Sequence, residues 1–155
     1  MFAIRCKELG PPSALVYEEV ADPVAGPGEV VVDVEAAGVN FPDTLIIQGK
    51  YQFQPPLPFS PGSEIAGVVS SIGEGVRAVS PGQRIIAGMT WGGYAQKAKI
   101  LAEQAIPCPD DVDPAVAAGF ILVYGTSYHA LKDRAKLQPG ETLVVLGAAG
   151  GVGLA

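Results

Sequence analysis

Apolar positions in this chain come in short β-branched runs, and most of these runs are opened by a turn dipeptide. Four Pro-Gly pairs punctuate the sequence: Pro27-Gly28, Pro61-Gly62, Pro81-Gly82 and Pro139-Gly140. Proline presets φ for the first central position of a turn, and glycine accepts the positive φ of the second. After Pro27-Gly28 the residues Val30, Val32 and Val34 share one face while Asp33 and Glu35 take the other, the period of a half-buried strand. Ile85-Ile86-Ala87 follows the third pair and Leu143-Val144-Val145-Leu146 the fourth. The segment Glu64 to Ile72 predicts another strand, with Gly67 marking a bulge or a close backbone approach. Trp91 to Leu101 alternates well enough to predict one more.

Beyond Pro109 the period changes. Asp113 followed by Pro114 predicts a helix start, with Asp as N-cap and Pro at the first helical position, continuing through Ala115 to Phe120. A second helical stretch is predicted from about Thr126 to Ala135. Leu143 to Leu146 then has the continuous apolar character of a parallel strand buried on both faces. It leads into Gly147-Ala148-Ala149-Gly150-Gly151-Val152-Gly153, where Ala148-x-Gly150-x-x-Gly153 matches a G-x-G-x-x-G turn with Ala in the first place. A buried strand, a glycine turn and a helix start form the first unit of a dinucleotide-binding fold, because glycines let the backbone approach a pyrophosphate at a helix N-terminus. The strands that would follow, and the ribose-holding residue expected about 20 positions on, have no counterpart in the sequence. The chain is therefore expected to be a fragment.

Composition narrows the class. The 155 residues are 48% apolar and 17% charged, with 20 Gly and 14 Pro, which favours short strands and tight turns over a helical bundle. A net charge of -6 argues against a nucleic-acid surface. No apolar run reaches membrane length, and the N-terminus carries Arg5 and Lys7 too early for a signal core, so a cytoplasmic protein is expected. Cys6 and Cys108 match no zinc or redox spacing and are expected to be reduced, packing thiols.

Several segments together resemble the zinc-independent, zeta-crystallin-like quinone oxidoreductase branch of the medium-chain dehydrogenase/reductase superfamily. They are Ala36 to Thr44 (AAGVNFPDT), Gly49-Lys50-Tyr51, Pro58 to Gly67 (PFSPGSEIAG) and Gly73-Glu74-Gly75-Val76. Pro81-Gly82-Gln83-Arg84, Gly92-Gly93-Tyr94-Ala95, Thr126 to Leu131 (TSYHAL) and the terminal glycine loop continue the series. The resemblance implies a mixed α/β chain: a GroES-like β-rich catalytic domain over residues 1–112, lacking its returning C-terminal segment, then the truncated start of a Rossmann domain over residues 113–155. Zinc-using relatives carry a Gly-His-Glu where this chain has Gly62-Ser63-Glu64, and a four-cysteine lobe that two scattered cysteines cannot supply. No zinc site is expected.

The resemblance further implies an NADPH-dependent enzyme that passes hydride to a quinone or enone by positioning and polarisation. It places Asn40 near the nicotinamide and the substrate carbonyl, Tyr51 in the same cleft, Asp43 nearby, and Thr126 on the cofactor, with Gly150, Gly151 and Gly153 at its phosphates. Read from the residues alone, Asn40 is also an ordinary turn residue, Asp43 a cap for a helix beginning near Thr44, Tyr51 a packed aromatic, and Thr126 a helix cap after Gly125. Glu64 is expected to be structural at a strand start, and His129 a helix-surface or packed residue. The Pro-rich run Gln52 to Pro58 is either a shaper of acceptor access or a rigid connector. Two other readings stay open: an enoyl thioester reductase of the same superfamily, and a non-enzymatic remnant that pairs with other subunits. The full-length parent is expected to be a homodimer, and the 155-residue chain itself to be inactive and to bind no NADPH.

Overall fold

The computed structural model describes residues 1–155, and its contacts divide into two compact units, Met1–Gly119 and Phe120–Ala155. Pro27-Gly28, Pro81-Gly82 and Pro139-Gly140 form the predicted turns; Gly62 shares their positive φ, between 73° and 97° across the four, but the chain makes no turn at Pro61-Gly62.

The first unit contains seven strands: β1 (Phe2–Arg5), β2 (Val16–Glu19), β3 (Glu29–Ala37), β4 (Glu64–Ile72), β5 (Arg84–Gly88), β6 (Lys97–Leu101) and β7 (Ala105–Pro107). Helix α1 (Phe41–Ile46) lies between β3 and β4, and α2 (Pro114–Ala118) follows β7. Strands β6, β3, β4, β5 and β7 form one antiparallel sheet in that order, while β1 and β2 pair separately.

Alternation decides which side chains face inward. Val30 and Val32 of β3, Ile65 and Val69 of β4, Ile85 and Ala87 of β5, and Ala98 and Ile100 of β6 all meet in one cluster, closed by Val79. Burying each of the larger aliphatics contributes roughly 1.5–3 kcal/mol. On the outer face, Lys97 sits opposite Asp33 across the β3–β6 pair, with Nζ 3.0 Å from the carboxylate. A smaller cluster of Cys6, Ile46, Ile47 and Phe59 joins α1 to the N-terminal segment. Cys6 and Cys108 are free thiols; burial, and then Glu8, push the Cys6 pKa up.

Glycine 67 occupies an inward position between Ile65 and Val69, where β3 and β4 come unusually close. A Cβ there would run into the Asp33 carbonyl and lie 2.9 Å from Val32 Cγ1. The β3–β4 register shifts beside it, between Val34 and Ala36. The close approach and the irregularity expected at this glycine are both present.

The predicted Trp91–Leu101 strand is shorter than its alternation suggests: only Lys97–Leu101 joins the sheet. The preceding residues fold back over the segment 60–62. Gly92, Gly93 and Tyr94 donate their N–H groups to the carbonyls of Ser60, Gly62 and Pro61, and the Tyr94 carbonyl accepts from Ile4. Alternation reports facing, not pairing partner, and here the partners are the segment 60–62 and β1.

Arg84, the first residue of β5, fixes the stretch that follows β7. Its guanidinium donates to the carbonyls of Pro109 (3.1 Å), Asp110 (2.8 Å) and Val112 (3.0 Å), and approaches Glu35 at 3.5 Å. Asp113 then caps α2, accepting from the Ala115 N–H at 2.8 Å, with Pro114 in the first turn. The helix ends at Ala118, two residues short of the expected Phe120, with Gly119 as its C-cap. It packs on β3 and β4, so the contact boundary falls after 119, whereas the sequence division at 112/113 assigns α2 to the following segment.

The second unit departs more from expectation. Helix α3 runs Ile121–Tyr128 and continues into a π-helical stretch, His129–Arg134. Its start lies earlier than Thr126, because stacked Phe120 and Tyr124 (centroids 4.8 Å apart) support a turn upstream of Gly125. Gly125 is accommodated inside the helix at a cost of about 1 kcal/mol. Thr126 is therefore mid-helical, and the cap reading for it is incorrect.

Leu143–Leu146 is not a strand. The second unit contains no other strand to bond it, and Leu146 is 90% exposed. Its backbone polar groups have no ladder to enter, which overrides strong β-propensity. A single helical turn, α4 (Gly151–Leu154), follows the glycine run. No helix of the protein is long and apolar enough to cross a membrane.

Candidate active site

The best-defined polar cluster of the first unit forms where β3 ends, α1 begins and β4 begins. Asn40 is the N-cap of α1, with extended backbone (φ -124°, ψ 156°), and its carbonyl accepts from the Asp43 N–H at 3.0 Å. The Asp43 carboxylate returns the contact: Oδ2 accepts from the Asn40 N–H at 2.8 Å, the backward half of a capping box. Asp43 thus sits in the first turn and reaches back; it does not precede the helix as its N-cap, because α1 starts at Phe41 rather than near Thr44.

Two further groups complete the cluster. Tyr94 donates its hydroxyl to the same Asp43 Oδ2 at 2.8 Å, with the Gly38 carbonyl 3.3 Å away. Asn40 Nδ2 donates to Glu64 Oε1 at 2.8 Å. Both acids are buried, Asp43 at 6% exposure and Glu64 at 1%. Asn40 itself is half-buried.

Glycines make this packing possible. At Gly62 (φ 97°) a Cβ would lie 2.5 Å from the Tyr94 ring and 2.8 Å from its backbone nitrogen. At Gly38 a Cβ would collide with the Glu64 carboxylate and lie 2.8 Å from the Ala118 carbonyl. Between Gly62 and Glu64, the Ser63 hydroxyl oxygen is buried and has no hydrogen-bond partner.

Burial, and then the hydrogen bond to Asp43, push the Tyr94 hydroxyl pKa far above its ordinary value of 10. The unfolded chain would lose this proton near pH 10 while the folded chain keeps it. Tyr94 therefore stabilises the fold fully below about pH 10, and that contribution declines as pH rises further. The Tyr94→Phe variant is expected to be less stable than the parent chain at neutral pH by about 1–2 kcal/mol. The difference should shrink in urea titrations carried past pH 10. A constant difference across that range would refute this role for the hydroxyl.

The other expected site residues divide between the two units. Tyr51 is half-buried, edge-on to Phe53 (centroids 5.3 Å, planes at 72°), and packs on the Cys6–Ile46–Ile47–Phe59 cluster. Phe53 in turn leans on Trp91. Thr126 is exposed on α3, within the second unit. In that unit Gly153 is packed so tightly that a Cβ would meet the Gly147 carbonyl, and at Gly151 a Cβ would lie 2.8 Å from Val123 Cγ1. A turn lined by backbone alone suits the near side of a phosphate group. His129 lies on the helix surface, 3.0 Å from Asp133 one turn on.

No three His, Cys, Asp or Glu side chains gather in a cluster able to hold a metal ion. Asp43 Oδ2 accepts from the Asn40 N–H and the Tyr94 hydroxyl, and Glu64 Oε1 accepts from the Asn40 amide.

Residues 26–110 match the family model described as the alcohol dehydrogenase GroES-like domain. The chain is 42% identical over 153 residues to quinone oxidoreductase-like protein 2 of Rattus norvegicus, covering 99% of this chain and 43% of that protein. A probable oxidoreductase from Mycobacterium abscessus superposes with a TM-score of 0.90 at 47% identity, over 99% of this chain and 49% of the other. The quinone oxidoreductase of Escherichia coli, solved as its complex with NADPH, gives a TM-score of 0.93 at 33% identity, over 99% and 47%. The chain spans about half the length of the relatives it matches.

Proposed function

The chain belongs to the alcohol dehydrogenase GroES-like domain family, within the oxidoreductases of the medium-chain dehydrogenase/reductase superfamily, and from that premise we propose an NADPH-dependent reductase of quinones or enones that works without zinc. The observation that carries this reading is the donor set around Asn40. Where metal-using relatives place a histidine, Ser63 stands, and the neighbouring carboxylates are committed to an amide and a phenol.

NADPH supplies the hydride when bound. Asn40 provides a hydrogen-bonding amide at a half-buried position, and Asp43 fixes the backbone that carries it. Tyr51, edge-on to Phe53, which in turn contacts Trp91, belongs to an aromatic cluster that offers apolar contact to a quinone ring. Gly150, Gly151 and Gly153 are assigned to the phosphates and Thr126 to the cofactor. Catalysis on this scheme comes from orientation and preorganised dipoles.

The experiment is steady-state NADPH oxidation with a naphthoquinone as acceptor, on this chain completed to the length of its relatives. Turnover is expected to persist unchanged after exhaustive treatment with a chelator. Activity that disappears with chelator and returns with zinc would overturn the metal-free mechanism. A crotonyl thioester offered in parallel checks the acceptor class: faster turnover of the thioester would replace the quinone assignment with an enoyl reductase.

A further inference from the structure

Strand β2 is the outer member of a two-stranded sheet, and the hydrogen bonds of β1 fix which backbone groups of β2 face outward. Phe2 and Ile4 of β1 spend theirs on the segment 94–96: the Phe2 carbonyl accepts from the Gln96 N–H, and the Ile4 N–H donates to the Tyr94 carbonyl. Successive residues of an antiparallel strand turn their N–H and C=O groups to opposite sides. Ala3 and Arg5 therefore face β2, where Glu18 and Val16 stand opposite them. Met1 and Val20 exchange both bonds just beyond. Tyr17 and Glu19 are left with N–H and C=O directed away from β1, and no strand lies beyond β2.

The same strand pair is apolar on one face. Phe2 stacks on Tyr17 with ring centroids 5.0 Å apart, and Ile4 stands opposite Tyr17 in the ladder. All three are exposed, Tyr17 at 67%. Glu19, opposite Phe2, shares that face. Glu18, on the other face, is held by Arg5 and Lys7, whereas exposed Glu19 enters no ion pair. Proline and bulges, which keep foreign strands from an edge, are both missing from β2.

We propose that the β2 edge docks an extended segment of a partner protein, which adds an antiparallel strand with an apolar side chain opposite Tyr17 and a lysine or arginine opposite Glu19. Main-chain bonds to Tyr17 and Glu19 hold the strand, and the two cross-strand pairs select it. A second copy of this chain is the poorer occupant. Paired antiparallel about Tyr17, Glu18 or Glu19, it sets Leu15, Tyr17 or Glu19 against Glu19 and brings no cation, and each copy carries a net charge of -6.

The probe is the acetylated and amidated hexapeptide Thr-Lys-Thr-Val-Thr-Val, titrated into the 155-residue chain and followed by the backbone amide shifts of residues 16–20. Saturable shifts centred on Tyr17 and Glu19 are expected, with slowed hydrogen exchange at those two amides. Methylating the backbone nitrogen of the probe's first valine removes the donor to the Tyr17 carbonyl and leaves the protein untouched. It should weaken binding at least about 10-fold. Replacing the probe's lysine by glutamate should weaken binding about 5-fold, and in Glu19→Gln the two peptides should bind within a factor of about 2 of each other. Binding indifferent to the methyl group would overturn the added strand, and equal binding of the lysine and glutamate peptides to the parent chain would overturn the charge selection. The absence of any saturable shift, or sedimentation showing that the chain pairs with itself through this edge, would overturn the docking site.

Discussion

The Gly67→Ala variant is expected to lose about 3 kcal/mol of stability and roughly 10 °C of melting temperature. Most overpacking substitutions are absorbed by rotating a side chain. Here the added methyl meets the Asp33 carbonyl, which is backbone, and Val32 Cγ1 at 2.9 Å. Relief requires moving β3 away from β4, which would strain the ladder from Val30↔Ile72 to Ala37↔Ile65. Gly82→Ala is the control. Its φ of 84° is unfavourable for alanine, as the backbone of Gly67 is not, but nothing lies within 4 Å of the new Cβ. It should cost about 1–2 kcal/mol. Thermal melts followed by circular dichroism compare the two, and a loss for Gly67→Ala no larger than that for Gly82→Ala would show that β3 yields to the added methyl and that contact does not limit Gly67.

The second large effect is on turnover. Asn40→Ala is expected to reduce kcat/KM for NADPH-dependent quinone reduction in the completed protein by about 100-fold, the usual cost of removing one preorganised hydrogen-bonding group. Stability should fall by only about 1 kcal/mol, because Asp43 and the backbone still make the helix entry. The variant therefore separates site chemistry from folding. Should kcat/KM stay within a factor of two or so of the parent, Asn40 would have to be reassigned to structure.

The strands that carry turn punctuation were legible in the sequence. Gly28 and Gly82 mark real turns, Gly62 a positive φ without one, and β3, β4 and β5 follow where Val30–Val34, Glu64–Ile72 and Ile85–Ala87 predict them. Local chemistry is enough for such elements because the turn residue and the facing pattern are both encoded nearby. Leu143–Leu146 shows the limit. Its sequence is as strand-like as any in the chain, yet a parallel strand exists only through its neighbours, and the second unit has none. Trp91–Gln96 failed for a related reason, since its alternation is real but its partners are the carbonyls of residues 60–62 and the backbone of β1.

The site was legible in part. Asn40 and Asp43 stand three residues apart, and their mutual contact is a local matter of helix entry. Tyr94 and Glu64 are 51 and 24 residues from the partners they meet, so no spacing rule connects them. The one visible signal was indirect: Gly38, Gly62 and Gly93 each occupy a position where only a missing side chain admits a close neighbour. A glycine outside a turn marks space taken by something else, and here that something includes Glu64.

Arg84 carries a consequence for the order in which the chain becomes structured. The carbonyls of Pro109, Asp110 and Val112 end on one guanidinium that belongs to β5. Until β5 has docked on β4, the carbonyls of Asp110 and Val112 lack that guanidinium and Pro109 keeps only its local contacts from the Val112 N–H and Cys108 Sγ, so little fixes the path of the stretch before α2. The passage out of the sheet is thus the last part of its surroundings to settle, and the first to loosen when β5 frays. Hydrogen exchange at Cys108, whose N–H is held by the Arg84 carbonyl at 3.0 Å, would report that sequence of events from a single amide.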